Sequence, residues 1–570
     1  MRILFSATHF GFLRNFQSTL RVLADSGHEL YLVAERGDAI DGQKMADILA
    51  AEYPAMTFDR VAPTRHRLWF ALGTGLRASQ DYWRYLDPRW DHSAKLRQRA
   101  AEQAPKLALA LARAPILGTP GGLLALRHLA HWVERRLPPP PEVKAVFARA
   151  RPDVMFFTPL LYFGSRQVEQ VRWARQTGVP TVLGVGSWDH LTTKGLIHEV
   201  PDRVLVWNEA QKREAVDLHA VPADRVVVTG SQAYDHWFST SPSLDRDAFC
   251  RQVGLDPGRP MLLYLCSSPF IAPYEVGFVR SWIAAIRGCA DGRLREASLL
   301  VRPHPQNARQ WANVDLASEF SQVALWPKTG VNPIGGAARA DYFDSMYHAE
   351  AVVGVNTSGM IESGIIGRPV YSVLTDEFAA TQEGTLHFQH LKNVEGGLLH
   401  LAGDLDEHAA QLARLLADGR EERQRARQFI QAFVRPFGLD APATPRVVAE
   451  IERLAEVRLR RRWTPVSAVI VRVASAPLAV VAMAVTLEPV KMRSAVKRWT
   501  RPARLAFRWI ITRAIYSARF LLRVPRRVVR LLLLAVRRLV VAPVRWIYHQ
   551  GKLRLHAFLV ARKGEPDRVP

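Results

Sequence analysis

The chain has 570 residues, and single hydrophobic cores stop growing at roughly 250 to 300 residues, so at least two domains are expected. With 48% hydrophobic and 23% charged residues, most of the chain should fold without lipid, and three cysteines at unrelated spacings match neither a disulfide framework nor a zinc site. The net charge of +24 is concentrated at the C-terminus, where residues 491–570 contain 21 Lys and Arg against two acidic residues. The N-terminus, MRILFSATHF, lacks the features of a secretory signal, so a cytoplasmic location is expected.

Short apolar runs alternating with helical segments predict a parallel α/β domain over residues 1–235. Strands are expected at 2–7, 29–34, 154–157, 181–185, 203–207 and 225–228. Residues 65–140 interrupt this series: they are rich in Leu, Ala, Arg and Trp, lack strand-like alternation and end in a run of prolines. They predict a helical insertion.

A second α/β series predicts another domain over residues 245–435. Its strands are expected at 261–266, 298–301, 323–325, 351–355 and 370–373, with two further helices at about 404–417 and 420–433. The fold class is therefore α/β, with two doubly wound, Rossmann-like domains. Such a pair places a cleft between the carboxyl ends of two sheets, where ligands of this class bind.

Residues 445–570 predict a basic, amphipathic helical tail. Between residues 491 and 562, arginines recur at helical spacing among large apolar residues, and no stretch reaches the roughly 18 apolar residues of a spanning helix. An in-plane helix on an anionic membrane surface fits this pattern, and the apolar run at 473–487 is expected to be interfacial at most. An Arg-rich helix can also bind nucleic acid, but Leu531–Leu534 favours lipid, and a partner protein is a third possibility.

The strongest candidate site follows the predicted strand at 351–355. Asn356, Thr357, Ser358 and Gly359 lead from this strand into a helix, and free first-turn amides, hydroxyls and the helix dipole would suit a diphosphate. Glu362 lies one turn further on, where its carboxylate could accept hydrogen bonds from two ribose hydroxyls. The alternative is that Ser358 merely caps the helix and that Glu362 completes a capping pattern.

The order of motifs in this half resembles the C-terminal half of GT-B glycosyltransferases. The motifs are His304 in VRPHP, N-T-S-G at 356–359, Glu362 and G-R-P at 367–369. The closest similarity is to the CDP-glycerol glycerophosphotransferase and Kdo-transferase-like group, with UDP-N-acetylglucosamine 2-epimerase as a structural cousin. The resemblance implies that His304, Ser358, Gly359 and Glu362 face a nucleotide donor.

Two departures from these families are visible. The glycerophosphotransferases usually have D-Y-S-S where this chain has Asn356 to Gly359, which argues against CDP-glycerol as the donor. The epimerases usually have R-x-x-T-E-R-P after the helix, whereas residues 376–388 read DEFAATQEGTLHF.

The loop THFGFLRNF, residues 8–16, resembles the acceptor half of GT-B enzymes, and makes His9 a candidate general base. A second candidate base is Asp189 in GSWDHLTTKG, where Lys194 could balance phosphate charge and Trp188 could stack on a sugar. The alternatives are a structural His9, and a turn in which Asp189 caps a short helix and Trp188 is simply buried.

The D-x-D triplets at 245–247 and 404–406 are predicted to be helix caps, so no metal is expected. The resulting hypothesis is a metal-independent GT-B glycosyltransferase attached to the inner face of the cell membrane. It would transfer a sugar, or a polyol phosphate, from a nucleotide donor to a lipid-linked or surface-polysaccharide acceptor. No separate cofactor and no nucleic-acid partner are expected. A nucleotide-sugar epimerase and a non-enzymatic membrane scaffold are the alternatives.

Overall fold

A computed structural model describes residues 1–37, 42–61, 68–457, 459 and 466–486 of the chain. Residues 2–228 contain a seven-stranded parallel sheet with the strand order β3-β2-β1-β4-β5-β6-β7. Its strands are β1 (Arg2–Ala7), β2 (Glu29–Ala34), β3 (Thr57–Arg60), β4 (Val154–Thr158), β5 (Thr181–Gly184), β6 (Arg203–Val206) and β7 (Val226–Val228). The order reverses between β1 and β4, as in doubly wound folds.

Residues 261–402 contain a six-stranded parallel sheet with the equivalent order β10-β9-β8-β11-β12-β13. Its strands are β8 (Met261–Leu265), β9 (Ser298–Arg302), β10 (Val323–Leu325), β11 (Ala351–Gly354), β12 (Val370–Val373) and β13 (Leu399–Ala402). This order reverses between β8 and β11. The two doubly wound sheets confirm the predicted fold class. The resemblance to GT-B enzymes implies the same arrangement.

Twenty-one α-helices accompany the strands in the described residues. They are α1 (Gln17–Asp25), α2 (Gly42–Glu52), α3 (Leu68–Arg84), α4 (Ala94–Gln103), α5 (Lys106–Arg113), α6 (Pro120–Glu134), α7 (Pro141–Ala150), α8 (Gln167–Thr177), α9 (His190–Thr193), α10 (Glu209–His219), α11 (Arg246–Val253), α12 (Val276–Gly288), α13 (Gly292–Arg295), α14 (Leu316–Glu319), α15 (Gly336–Tyr347), α16 (Gly359–Ile365), α17 (Phe388–Asn393), α18 (Leu405–Ala417), α19 (Arg420–Phe433), α20 (Thr444–Ala455) and α21 (Val466–Thr486). Short 3-10 segments lie at Phe10–Phe16, Pro88–Trp90, Ala223–Arg225, Gln232–Phe238, Pro305–Trp311 and Val394–Gly396.

Both D-x-D triplets are helix caps, as predicted. The Asp245 carboxylate accepts a hydrogen bond from the Ala248 amide at the start of α11. The Asp404 carboxylate accepts one from the Glu407 amide at the start of α18. Each side chain satisfies an amide that the helix itself leaves without a partner.

The helical insertion is confirmed. A buried network of ion pairs connects it to the rest of the N-terminal half. Arg77 of α3 donates to Glu134 of α6 and to Glu169 of α8, both at 2.9 Å, and Arg172 donates to Glu134 at 2.6 Å. These four side chains are at most 5% exposed, so their two positive and two negative charges balance one another away from water.

The insertion also contacts the C-terminal half. The Ser93 hydroxyl donates to the carbonyl of Gly384 at 2.9 Å, and the Arg99 guanidinium lies 4.9 Å from the centre of the Phe270 ring. The insertion therefore bridges the two halves of the cleft through its first helices.

The predicted start of the tail at residue 445 is wrong, because α20 belongs to the N-terminal half. Its apolar residues Val447, Val448, Ile451 and Leu454 are buried in the same core cluster as β1 and α1. These positions form one face of a helix, and the burial of that face stabilises the packing of α20 against the first sheet. The chain thus returns to its N-terminal half after the second sheet.

A second unit includes, among the described residues, 68–75, 136–138 and 466–486. Among its described residues, α21 contacts residues 136–138: Arg472 donates to the carbonyl of Arg136 at 2.8 Å. No described helix combines the length and the apolar character needed to cross a membrane. Residues 491–562, predicted to be an amphipathic surface helix, lie outside the described residues.

Candidate functional site

The candidate residues lie at the carboxyl ends of the strands, where the order of each sheet reverses. In the N-terminal half, His9 follows β1, and in the C-terminal half residues 356–358 follow β11. His304 follows β9, next to β8 in the same sheet. These are the positions at which open α/β sheets bind ligands.

Ser358 makes a contact across the cleft instead of capping α16. Its hydroxyl accepts a hydrogen bond from the Trp188 indole Nε1 at 3.2 Å, and it makes no side-chain bond to the helix amides. The alternative interpretation of Ser358 as a helix cap is therefore wrong. Trp188 is 3% exposed, so this bond joins the two halves away from bulk water.

The prediction of free amides at the start of α16 is wrong for three of them. The amides of Met360, Ile361 and Glu362 donate to the carbonyls of Thr357 and Ser358 at 3.0 to 3.3 Å. The Gly359 amide points to the Thr357 hydroxyl at 3.4 Å. The binding of a diphosphate by the remaining amides of this turn stays a prediction.

Gly359 is required by close packing. A Cβ at this position would lie 2.6 Å from Leu265 Cδ1 and 2.9 Å from the Tyr342 hydroxyl. The glycine therefore lets the start of α16 approach β8 and α15.

Glu362 is held by Tyr342, whose hydroxyl donates to its carboxylate at 2.7 Å. Burial raises the pKa of Glu362, and the bond from Tyr342 and the nearby charge of Arg14 only partly offset this effect. The carboxylate oxygen that Tyr342 does not bind could accept hydrogen bonds from hydroxyl groups. The prediction that Glu362 binds the ribose stays open.

His304 is kept in one neutral tautomer. Its Nδ1 accepts a hydrogen bond from the Gln306 amide at 3.1 Å. Burial, together with the charge of Arg14, lowers the pKa of His304 to about 4, so the imidazole is neutral at physiological pH. Because Nδ1 is an acceptor, the single proton resides on Nε2, which makes His304 an uncharged hydrogen-bond donor.

Arg14 is a component of the site that the sequence did not single out. It lies in the exposed part of the segment Phe10–Phe16, and its charge acts on His304 and Glu362 in the C-terminal half and on His190 in its own half. It forms no ion pair with a carboxylate in the described part of the chain. The available signal was its position as the one charged residue in FGFLRNF, directly after a strand end.

Asp189 is an ionised carboxylate with its oxygens already occupied. It accepts from the Ser187 hydroxyl at 2.5 Å and from the Thr193 hydroxyl at 2.8 Å, and the Lys194 ammonium lies 3.7 Å away. Burial alone would raise the pKa of Asp189, but Lys194, the neighbouring histidines and the Ser187 bond hold it well below its usual value. It caps no helix amide, so that alternative is wrong, and its low basicity fits a charge-stabilising group better than a base.

Two further candidates occupy structural positions. The Asn356 amide donates to the carbonyl of Thr381 at 2.6 Å, which ties the end of β11 to the segment before α17. His9 is 6% exposed, and its ring lies 4.5 Å from that of Phe12. The proposed roles of Asn356 in donor binding and of His9 as a base stay predictions.

Six histidines of the two halves have a pKa of about 4, because burial disfavours the charged imidazole. They are His190, His236, His304, His387, His400 and His408. In the described part of the chain, no group of three His, Cys, Asp or Glu side chains is placed to hold a metal ion.

The sequence matches no family model and no curated protein. Among solved structures, it resembles UDP-GlcNAc 2-epimerase from Methanocaldococcus jannaschii, with 10% identity, coverage of 80% of this chain and 100% of the other, and a TM-score of 0.43. It also resembles Anabaena Alr3699/HepE in complex with UDP, with 12% identity, the same coverage and a TM-score of 0.42. These likenesses concern the fold alone.

Proposed function

We propose that this protein is an enzyme that binds a nucleoside diphosphate sugar in the cleft and breaks the bond between the anomeric carbon and the diphosphate oxygen. The observation that carries the proposal is that the charge of Arg14, from the N-terminal half, acts on two groups of the C-terminal half. These groups are His304, a neutral hydrogen-bond donor, and the carboxyl of Glu362.

Each of these groups matches a need of that reaction. When the bond breaks, its electron pair leaves with the diphosphate, and the negative charge grows on that oxygen. The guanidinium of Arg14 and the Nε2 proton of His304 would donate to it, which stabilises the transition state more than the ground state. The ionised carboxylate of Asp189 would stabilise the positive charge that develops on the sugar.

Transfer of the sugar to an acceptor hydroxyl is the first candidate for the second step. The acceptor would bind in the N-terminal half near His9. There the Arg36 guanidinium, which lies 4.8 Å from the centre of the Tyr162 ring, could donate hydrogen bonds to sugar hydroxyls. His9 would take the hydroxyl proton as the acceptor oxygen forms its bond to the anomeric carbon.

Epimerisation of the nucleotide sugar is the second candidate. It is favoured by the bond between Trp188 and Ser358, which closes the cleft at one point and suits a reaction confined to a single substrate. Product analysis separates the two candidates. Free nucleoside diphosphate that accumulates only with an added acceptor indicates transfer, whereas an isomeric nucleotide sugar formed without one indicates epimerisation.

Attachment to an anionic membrane through the basic residues 491–562 remains part of the proposal, because a lipid-linked acceptor would be met there. It rests on the sequence alone. Flotation with and without anionic vesicles tests it.

Donor binding is tested by thermal shift and calorimetry with CDP-, UDP- and GDP-linked sugars. For a donor that binds, Arg14→Ala should weaken the affinity about tenfold or more, since a hydrogen bond to a charged group contributes roughly 1.5 to 3 kcal/mol. Arg251→Ala, on the exposed side of α11, is the matched control. Equal affinities of the two variants would contradict the assignment of the site.

A further inference from the structure

Large apolar side chains of the insertion are exposed along α5, α6 and the turn between them. Their exposed fractions are 58% for Leu107, 81% for Ile116, 52% for Leu124 and 58% for Leu129. We refer to these four side chains as the insertion face. Soluble proteins expose single apolar residues routinely, but four large ones within 23 residues of sequence indicate an interaction surface.

The exposed residues of α6 follow the helical repeat. Gly121, Leu124, Ala125, His128, Leu129 and Trp132 are exposed, at the spacing i, i+3, i+4, i+7, i+8 and i+11. The opposite side packs inward through Leu123, Ala130 and Glu134. The helix therefore has a buried face and a second, outward face that is also apolar, where a helix on a protein surface normally carries polar residues.

The turn that contains Ile116 is stabilised by hydrogen bonds between the Thr119 hydroxyl and nearby backbone groups. The carbonyl of Ile116 accepts from the Thr119 hydroxyl at 2.8 Å, and the Thr119 hydroxyl in turn accepts from the Gly122 amide at 3.2 Å. A Cβ on Gly118 would lie 2.3 Å from the carbonyl oxygen of Ala112. The tight packing of this turn makes the exposure of Ile116 a defined feature of the fold.

The exposed charged side chains within residues 104–133 are positive. Residues 104–133 contain no Asp or Glu, and they contain Lys106, Arg113 and Arg127. The first two are exposed, and the nearest acidic residue along the helix, Glu134, is buried against Arg77 and Arg172. A partner must therefore combine an apolar interior with negative charge at its surface.

We propose that the insertion face binds the surface of an anionic lipid bilayer. The large apolar residues would enter the boundary between headgroups and acyl chains, and Lys106 and Arg113 would contact lipid phosphates. This surface is distinct from the tail at 491–562, and the inference depends on neither the donor nor the reaction.

A positional probe in the full-length chain tests the proposal even if the tail itself binds membranes. Cys250 and Cys266 are buried, so Cys289→Ser gives a background without a readily labelled thiol. In this background, Ile116→Cys and, as control, Tyr274→Cys are each labelled with an environment-sensitive fluorophore. The control is matched, because Tyr274 is also 81% exposed and lies in the C-terminal half.

With vesicles of phosphatidylcholine and phosphatidylglycerol, the emission of the probe at residue 116 should shift to the blue. Its quenching by iodide should be lost, and doxyl groups on the acyl chains should quench it, whereas the probe at residue 274 should remain in water. Adding Leu124→Asn and Leu129→Asn should weaken this response about tenfold or more, since burying one Leu contributes roughly 1.5 to 3 kcal/mol.

Two results would overturn the proposal. In the first, the chain sediments with vesicles while both probes stay in water, so that another segment alone is the membrane anchor. In the second, the probe at residue 116 responds to protein concentration without vesicles, so that a second copy of the chain covers this face. Donor affinity measured on the same proteins is unaffected in either case, which separates this result from the proposed reaction.

Discussion

The indole of Trp188 donates across the cleft to the hydroxyl of Ser358, the group at which we place the donor diphosphate. Trp188→Phe keeps an aromatic ring at this position and removes only the Nε1 donor. Ser358 only accepts in this bond, so its O–H is available to donate to a diphosphate oxygen. The bond also holds the two halves together over the donor, so the substitution should weaken donor binding.

The size of the effect follows from the bond itself. A hydrogen bond between two neutral groups at 3.2 Å contributes about 0.5 to 1.5 kcal/mol net. Losing it from the closed cleft that binds the donor should raise the donor Kd by a factor of roughly 2 to 10. The ring of His387, 4.7 Å from that of Trp188 in an edge contact, should remain packed against the phenylalanine.

Isothermal titration calorimetry with the donor identified by thermal shift measures this change. Trp173→Phe is the control, because it makes the same chemical change on α8, where the ring packs under Lys144. In a Ser358→Ala background, Trp188→Phe should leave the Kd unchanged, since the bond is already absent. An unchanged or lower Kd for the single variant would refute this account of the closed cleft.

Three further results are expected for the stability of the two halves. Glu134→Ala should cost about 3 to 5 kcal/mol in urea unfolding, because Arg77 loses a buried partner, and Glu134→Gln, which keeps an acceptor, should cost less. Gly184→Ala should cost about 1 to 3 kcal/mol, because its Cβ would lie 2.2 Å from the Phe156 ring, whereas Gly277→Ala, with open space around it, should cost nothing. The midpoint of urea unfolding should fall as the pH drops from about 6.5 to about 4. In that range these six histidines bind protons in the unfolded chain but stay neutral in the folded chain, where they are buried. Below about pH 4 they are protonated in both states, so their contribution to stability should be constant.

The sheets could be predicted because the residues of a buried strand are themselves apolar, so the strand is visible in a short stretch of sequence. Runs such as 261–265 and 351–354 are apolar throughout, as is usual for strands covered on both faces, and helix caps such as Asp245 depend on the next three residues. The strands at 57–60 and 399–402 were missed because both are short, lie at a sheet edge and contain polar residues.

The site was predicted less well because its contacts are not local. The partner of Ser358 lies 170 residues away, in the other half, so no spacing rule could connect them. The amides of α16 were expected to be free because a strand-to-helix turn often leaves them so, and only the backbone geometry shows that Thr357 and Ser358 accept their hydrogen bonds. The packing of α20 in the N-terminal half could not be predicted either, because its partners are also distant in sequence.

The distribution of charge over the cleft explains why both halves are needed for the proposed chemistry. The C-terminal half supplies neutral groups, the Nε2 proton of His304 and the hydroxyl of Ser358, and a carboxyl, Glu362, whose pKa is raised. The cation that faces them, Arg14, comes from the N-terminal half, as does the ionised Asp189. A diphosphate bound by the C-terminal half alone would keep most of its charge uncompensated, so charge compensation and bond cleavage both require the cleft to close over the donor.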